Sequence, residues 1–225
     1  MADLLSRLGG VLGEEAPTRL PPERFDATRF RRAGLVSGWH EAQVGPAIAG
    51  RHRGRFWAVA EAGLDRLDER TPKRRVRGRA FFGLLVAVEL AGEWPTVLLL
   101  RRRGAIVRTL RRWSPPARDL DPVGLTGGLA ERFEAWGDGS EAARALLAEG
   151  DGGLLARVAD AIGEPAPFAL TGTELLVALP RLLPSLRVEV RGDEGKVAEA
   201  VGRLRGQLGV VGRLVEALES GPPPA

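Results

Sequence analysis

The apolar stretch from Arg79 to Arg103 constrains the fold more than any other part of the chain. It consists of two apolar runs separated by a break that contains Gly92 and Pro95. The stretch is long enough to cross a bilayer, but Glu89 and Glu93 lie inside it, and carboxylates near the bilayer centre are costly. We therefore predict two adjacent core strands, joined by a turn at Gly92–Pro95, with Glu89 paired or at an edge.

Composition places the chain among soluble globular proteins. It has 225 residues, of which 44% are apolar and 28% charged, and this balance argues against a disordered or fibrous chain. It contains no Cys, which excludes disulfides and thiol nucleophiles. The first residues lack an apolar run typical of a signal peptide, so we expect a cytoplasmic protein.

Proline-rich stretches and apolar spacing divide the chain into four segments. The predicted fold class is α+β, a mostly antiparallel sheet with helices packed on it and an amphipathic helix at the C-terminus. The predicted segments are a short N-terminal helix and Pro-rich linker over 1–22, a single domain over 23–190, the C-terminal helix over 191–219, and a disordered tail over 220–225.

Two hairpins are predicted in addition to the central strands. Alternating residues from Ile48 to Leu64 favour two strands around a turn at Arg53-Gly54. The segment Pro167–Leu179 favours a second hairpin that turns at Thr171-Gly172 and ends at Pro180.

Two short helices are predicted between these hairpins. Ser140 is placed to cap a helix over 141–148, and Asp151 is placed to cap another over 152–162. Gly163 should end the second helix.

Residues suited to catalysis or metal binding are scarce. The chain has two histidines, His40 and His52, so few candidate ligands are available for a histidine-based metal cluster. Glu61 and Glu89 each lie in an apolar strand, where a carboxylate is normally paired or at an edge. We predict no catalytic residue, no metal site and no cofactor, with a carboxylate-dependent enzyme built on these two residues as one alternative.

Basic residues form two clusters, within 70–79 and 101–112, in a chain of formal charge +4. If both clusters reach one end of the sheet, they form a surface for an anion or an anionic partner. Strand-terminal arginines are also commonly solvated, and no recognised nucleic-acid motif is present. The candidate residues are Arg74, Arg75, Arg77, Arg101, Arg102, Arg103, Arg111 and Arg112.

The C-terminal helix has an apolar seam with alternating steps of four and three residues. Such a seam is typical of a coiled coil. Four glycines inside the helix each cost about 1 kcal/mol relative to Ala, so the helix needs a surface to pack on, either its own domain or a partner. The seam residues are Val197, Val201, Leu204, Leu208, Val211, Val215 and Leu218.

Several short motifs, taken in order, resemble the bacterial DUF3137 family, a domain of unknown function. The motifs are Phe82-Gly83, Phe133-Glu134, Ala143-Arg144 with Leu146-Leu147, and Val177-Ala-Leu-Pro180. The resemblance extends from about Phe25 to Pro184 and implies an α+β domain without an assigned reaction. Two departures are Gly139 and Ala142, which stand where the family pattern has Asp and Glu.

Together these observations predict a bacterial cytoplasmic protein that acts as a non-enzymatic interaction or accessory module, peripheral to the inner membrane. Its expected partner is another protein, with an anionic membrane surface and self-association through the C-terminal helix as further options. The first alternative is non-specific binding of nucleic acid or an anionic surface through the arginine clusters. The second is the carboxylate-dependent enzyme.

Overall fold

Seven strands form one antiparallel sheet in the computed structural model, which describes residues 17–68, 76–102, 119–180 and 194–219. The α+β class predicted from the sequence is therefore confirmed. The strands are β1 (Thr18–Leu20), β2 (Glu41–His52), β3 (Arg55–Asp68), β4 (Val76–Arg101), β5 (Asp121–Val123), β6 (Phe133–Gly137) and β7 (Phe168–Pro180). The α-helices are α1 (Thr28–Arg32), α2 (Gly127–Arg132), α3 (Glu141–Ala148), α4 (Leu154–Ile162) and α5 (Glu194–Glu219).

Strand β4 organises the sheet because it pairs with three other strands. One of its edges meets β3 along the first half and β6 over Val97–Arg101. Its other edge meets β7 from Gly83 to Leu99. The strand order is β1-β2-β3-β4-β6-β5, with β7 paired to β4.

Strand β7 reverses direction near its middle. The Ala178 amide donates to the Pro167 carbonyl oxygen at 3.0 Å. A strand rises about 3.3 Å per residue, so a straight segment would hold these residues roughly 36 Å apart. Gly172 has φ +54°, the positive value that a two-residue hairpin turn needs at its first central position. The reversal occurs where the sequence predicts it.

Strand β4 must reverse as well, because its residues pair with both legs of β7. Leu85 lies opposite Ala178 on the later leg, and Leu99 lies opposite Phe168 on the earlier leg. The register shifts between Glu89 and Val97, where β4 forms an arch around the tip of β7. The arch covers the predicted turn at Gly92–Pro95, and Gly92 has φ +80°.

The prediction of two adjacent strands within Arg79–Arg103 is wrong in one respect. The two legs of β4 do not pair with each other, because both legs of β7 lie between them. A turn as wide as the β4 arch leaves room for a narrower hairpin inside it. Backbone groups of a buried strand need partners along both edges, and β7 supplies them.

The sheet is buried on both faces, so alternate residues of each strand enter different cores. Trp57 and Val59 face the helix-side core, formed with α3, α4 and α5. Ala58 and Ala60 face the opposite core, the α1-side core, which the segment Phe25–Trp39 covers. This agrees with the alternation on which the strand prediction for Ile48–Leu64 is based.

Two helix caps show how neighbouring elements are joined. The Ser140 hydroxyl accepts from the Ala143 amide at 3.0 Å, as predicted for α3. The predicted cap of α4 is wrong: the N-cap residue is Gly153, and Asp151 instead accepts from the Gly128 and Leu129 amides of α2. Asp151 lies too early to reach the first turn of α4, but it faces the start of α2 in space. The hydrogen bonds from the Gly128 and Leu129 amides lower the pKa of Asp151 below its ordinary value.

Helix α5 packs on the helix-side core and is held at its end by the β2–β3 hairpin. Arg53, in the tight turn of that hairpin, forms ion pairs with Glu216 and Glu219. Arg213 Nε donates to the Ala161 carbonyl at the end of α4. No helix in the described ranges is long and apolar enough to cross a bilayer.

Gly50 is required for the packing of the fully buried Trp57, its cross-strand neighbour. A Cβ at Gly50 would lie 2.8 Å from Trp57 Cζ2. We expect Gly50→Ala to lower the free energy of unfolding by about 1 to 3 kcal/mol, measured by urea denaturation. Gly124→Ala is the matched control, because no described atom lies within 4 Å of its added Cβ. Equal stability of the two variants would contradict this packing.

Asp138 fixes the arch of β4 to the start of α3. Its carboxylate accepts from the Thr96 amide at 2.7 Å and from the Ser140 amide at 3.0 Å. Burial raises the pKa of Asp138, but the hydrogen bonds from Ser140 and Thr96 outweigh burial, so the pKa lies below its ordinary value.

A lowered pKa means that the ionised carboxylate stabilises the fold. This contribution is complete above the ordinary Asp pKa of about 3.9 and is lost as the pH falls through the lower folded-state pKa. We expect Asp138→Asn to cost about 1 kcal/mol at pH 7 and progressively less below about pH 4, in urea titrations at several pH values. Asp119→Asn, at an exposed position, is the control. A cost that stays constant down to pH 2 would contradict the assignment.

Candidate functional site

The described arginines of the two predicted clusters are separated by the folded-back sheet. Arg77 lies near the start of β4, opposite Leu67, and Arg101 is the last residue of β4. Both legs of β7 lie between the two legs of β4, so three strand spacings of about 4.8 Å, roughly 14 Å, separate these two legs. Arg77 lies further along its leg, before the β7 pairing begins at Gly83. That the clusters form one patch stays a prediction, because Arg74, Arg75, Arg103, Arg111 and Arg112 lie outside the described residues.

Arg101 and Arg102 are exposed, and Arg102 belongs to a local structural contact. Its guanidinium donates to the Ala130 carbonyl at 2.5 Å, and its backbone amide donates to the Arg132 carbonyl at 2.8 Å. Arg102 thus joins the end of β4 to α2. It also lines a cavity of about 220 Å³ beside β5 and β6.

The structure places the second half of the predicted helix seam inside the protein. Four seam residues pack in the helix-side core, with exposures between 0 and 4%. A partner cannot contact these side chains while α5 stays docked. The buried four are Leu208, Val211, Val215 and Leu218, while the side chains of Val197, Val201 and Leu204 are outside the described part.

One row of side chains crosses the sheet where the buried region ends, next to the arch of β4. We call it the polar row. Its members lie on the α1-side face, each next to the following one across a strand pair. The residues two positions further into the sheet on the same face, including Ala58, Ala87 and Leu176, are buried. In order across the sheet the polar row contains Arg51, Phe56, Glu89, Glu174, Thr171, Thr96 and Asp138.

A cavity of about 300 Å³ opens at one end of the polar row. Strands β2, β3, β4 and β7 and helix α1 all contribute to its lining. Its volume is at the lower end of the range for small-molecule and side-chain pockets. The lining residues are Arg29, Arg51, Phe56, Ala87, Val88, Glu89, Thr173 and Glu174.

Phe56 is the exposed large apolar residue of the described part, with 42% of its surface accessible. Its neighbours along β3, Trp57 and Ala58, are almost completely buried. The backbone explains the position: the Phe56 amide donates to Glu89 Oε2 at 3.0 Å and has left the β3–β4 ladder, whose pairing begins at Trp57. The ring therefore stands where the β3–β4 pairing stops, next to Arg51 on β2.

Glu89 and Glu174 lie opposite each other on β4 and β7. Two like charges in such a pair destabilise a sheet unless a cation or a hydrogen-bond donor compensates. Arg29 of α1 compensates Glu174, with its guanidinium 2.5 Å from Glu174 Oε1. The same guanidinium lies 4.9 Å from the ring centre of Phe25 and 5.6 Å from that of Phe30.

Glu89 has a different environment. Its carboxylate accepts a hydrogen bond from the Phe56 amide, while the Arg55 guanidinium donates to the Glu89 backbone carbonyl at 3.3 Å. Arg51, on the other side of Phe56, donates to the Gly54 carbonyl at 2.9 Å. Within the described ranges, Glu89 has no ion-pair partner, and its side chain is exposed.

The carboxylates singled out from the sequence do not form one site. Glu61 lies on the face of Trp57 and Val59, whereas Glu89 lies on the opposite face. An enzyme based on Glu61 and Glu89 would need both groups in one cavity, and the sheet separates them. Among the described residues, no group of three or more His, Asp or Glu side chains has an arrangement suited to a metal ion.

The polar row could not be found from the sequence, except for Glu89. Its members come from four strands and from Asp138 just after β6, and their common position depends on the pairing of β4 with β7. The available signal was an apolar strand interrupted by one carboxylate, together with Phe56 at the end of an alternating segment.

Comparisons with known proteins do not identify the chain. No protein-family model matches it, and no curated protein matches it. Among solved structures, the crystal structure of the mycobacterial trehalose monomycolate transport factor A matches with 15% identity and a TM-score of 0.35. The match covers 76% of this chain and 75% of that chain. At that TM-score the likeness supports no conclusion about fold or function.

Proposed function

We propose that this chain is a non-enzymatic interaction module that binds a protein partner at the cavity end of its polar row. The exposed ring of Phe56 is the observation that carries this proposal. An aromatic side chain surrounded by charged groups is typical of the centre of a protein–protein contact. The residues next to it on the same face, Ala58 and Ala87, are buried.

The resemblance to the DUF3137 family agrees with such a role, because it implies a domain without an assigned reaction. We place the module in the bacterial cytoplasm, at the inner face of the membrane. Exposed Arg101 and Arg102 would assist contact with anionic lipid. Co-sedimentation with phosphatidylglycerol vesicles that disappears at high salt would support this location, and binding that ignores salt would count against it.

The role of Phe56 can be tested by site-specific photocrosslinking in the native bacterium. A benzophenone amino acid at position 56 should form an adduct of one discrete size. The same probe at Glu141, an exposed position at the start of α3, is the matched control and should not form that adduct.

A second variant separates binding from folding. Phe56→Ser changes an exposed side chain, so we expect its thermal midpoint to stay within about 2 °C of the parent. It should nevertheless lose co-purification of the protein captured by the probe. Retention of that protein by Phe56→Ser, or equal adducts from positions 56 and 141, would contradict the proposal.

A further inference from the structure

We infer that the cavity beside Phe56 binds an arginine side chain from an extended segment of the partner protein. This inference rests on the proposed function and adds the chemistry of the group recognised. It follows from the charges of the cavity, from its aromatic wall, and from a second arginine site within the same fold.

The Glu89 carboxylate is the group in the cavity that favours a cation. The Arg29–Glu174 pair is internally balanced, and Arg51, which lies on the other side of Phe56 from Glu89, donates to the Gly54 carbonyl and keeps its positive charge. The exposed Glu89 carboxylate accepts a hydrogen bond from the Phe56 amide and, in the described part of the chain, has no cationic partner. A cation entering here would also relieve the repulsion between Glu89 and Glu174, which face each other across two strands.

The aromatic wall favours a guanidinium over a simple ammonium ion. The exposed Phe56 and the carboxylate-bearing Glu89 both line the cavity, and the Phe56 amide donates to the Glu89 carboxylate. A guanidinium is planar and weakly hydrated, so it can stack on a ring while it donates hydrogen bonds to a carboxylate. An ammonium ion is more strongly hydrated and lacks the planar face.

The fold already contains an arginine held in this way. Arg29 is bound by the Glu174 carboxylate and lies near the rings of Phe25 and Phe30. Its side chain is 19% exposed, so this internal site is mostly closed. Phe56 and Glu89 offer the same two kinds of group on the open side of the cavity.

An extended segment suits the position of the cavity. The cavity lies at the edge of the buried sheet, and a volume of about 300 Å³ holds one long side chain rather than a folded element. The residues that precede and follow the inserted arginine would then lie along the polar row, where hydroxyl and carboxylate groups are available.

The test is a titration of the full chain with two acetylated and amidated peptides, followed by amide chemical shifts. One peptide is Gly-Gly-Arg-Gly-Gly, and the other carries citrulline, a neutral group of nearly equal shape, in place of arginine. We expect the arginine peptide to bind at least about fivefold more tightly at low salt, with the largest shifts at Phe56 and Glu89.

Three variants assign the preference to the cavity. Glu89→Gln keeps an oxygen for the Phe56 amide but removes the charge, so most of the preference for the arginine peptide over the citrulline peptide should be lost. Phe56→Leu keeps an apolar side chain without a ring and should weaken the arginine peptide about two- to fivefold. Glu93→Gln removes an exposed carboxylate of the same arch, outside the cavity lining, and should leave the preference unchanged.

Equal binding of the two peptides to the parent chain would overturn the inference, as would an equal loss in Glu89→Gln and Glu93→Gln. Amide shifts at Phe56 that change with the concentration of the protein itself, together with a loss of peptide binding, would also overturn it. A second copy of the chain would then occupy the cavity. If position 56 captures a partner but neither peptide is preferred, the proposed function stands and the arginine inference fails. If the arginine peptide is preferred but position 56 captures no partner, the arginine inference stands and the proposed function fails.

Discussion

The structure depends on one requirement, that the buried backbone of β4 must find hydrogen-bond partners along both edges. Both faces of β4 are covered, so neither water nor side chains can serve its amides and carbonyls. β3 and β6 pair with one edge. The folded-back β7 pairs with the other edge, and its own two legs are joined through the Ala178–Pro167 hydrogen bond. The result is a sheet whose middle is formed by β7, the last strand in the described ranges.

The polar row is a consequence of this arrangement. Where β4 arches over the tip of β7, regular pairing ends on several strands at the same level, and the side chains there no longer face a core. Some of these side chains complete the structure, as Asp138 does by holding Thr96. Others, chiefly Phe56 and Glu89, have no such structural role beyond the hydrogen bond from the Phe56 amide to the Glu89 carboxylate. We assign the proposed interaction to this second group.

Local features of the fold could be predicted from the sequence because neighbouring residues determine them. The turn at Arg53-Gly54, the Ser140 cap and the end of α4 at Gly163 follow from residue preferences over a few positions. The alternation of β3 between two faces follows from the pleat.

Long-range features could not be predicted in the same way. Nothing near β4 in the sequence indicates that its partner is β7, which is far along the chain, so the sequence predicts two adjacent strands where the structure has two legs separated by a hairpin. The sequence also predicts that Asp151 caps the following helix, because that helix is close in sequence, whereas the Asp151 carboxylate reaches α2 in space. The same limitation hides the cavity, since Arg29, Phe56 and Glu174 become neighbours only after β7 has inserted.

Amide hydrogen exchange at Ala178 shows directly whether β7 folds back inside β4. In the structure this amide points away from β4 and donates to Pro167. We expect it to exchange as slowly as the amides of the β3–β4 ladder, through global opening of the sheet. If β7 were instead an unreversed strand with a free edge, the Ala178 amide would exchange as fast as amides in exposed loops, and that result would contradict the nested arrangement of β4 and β7.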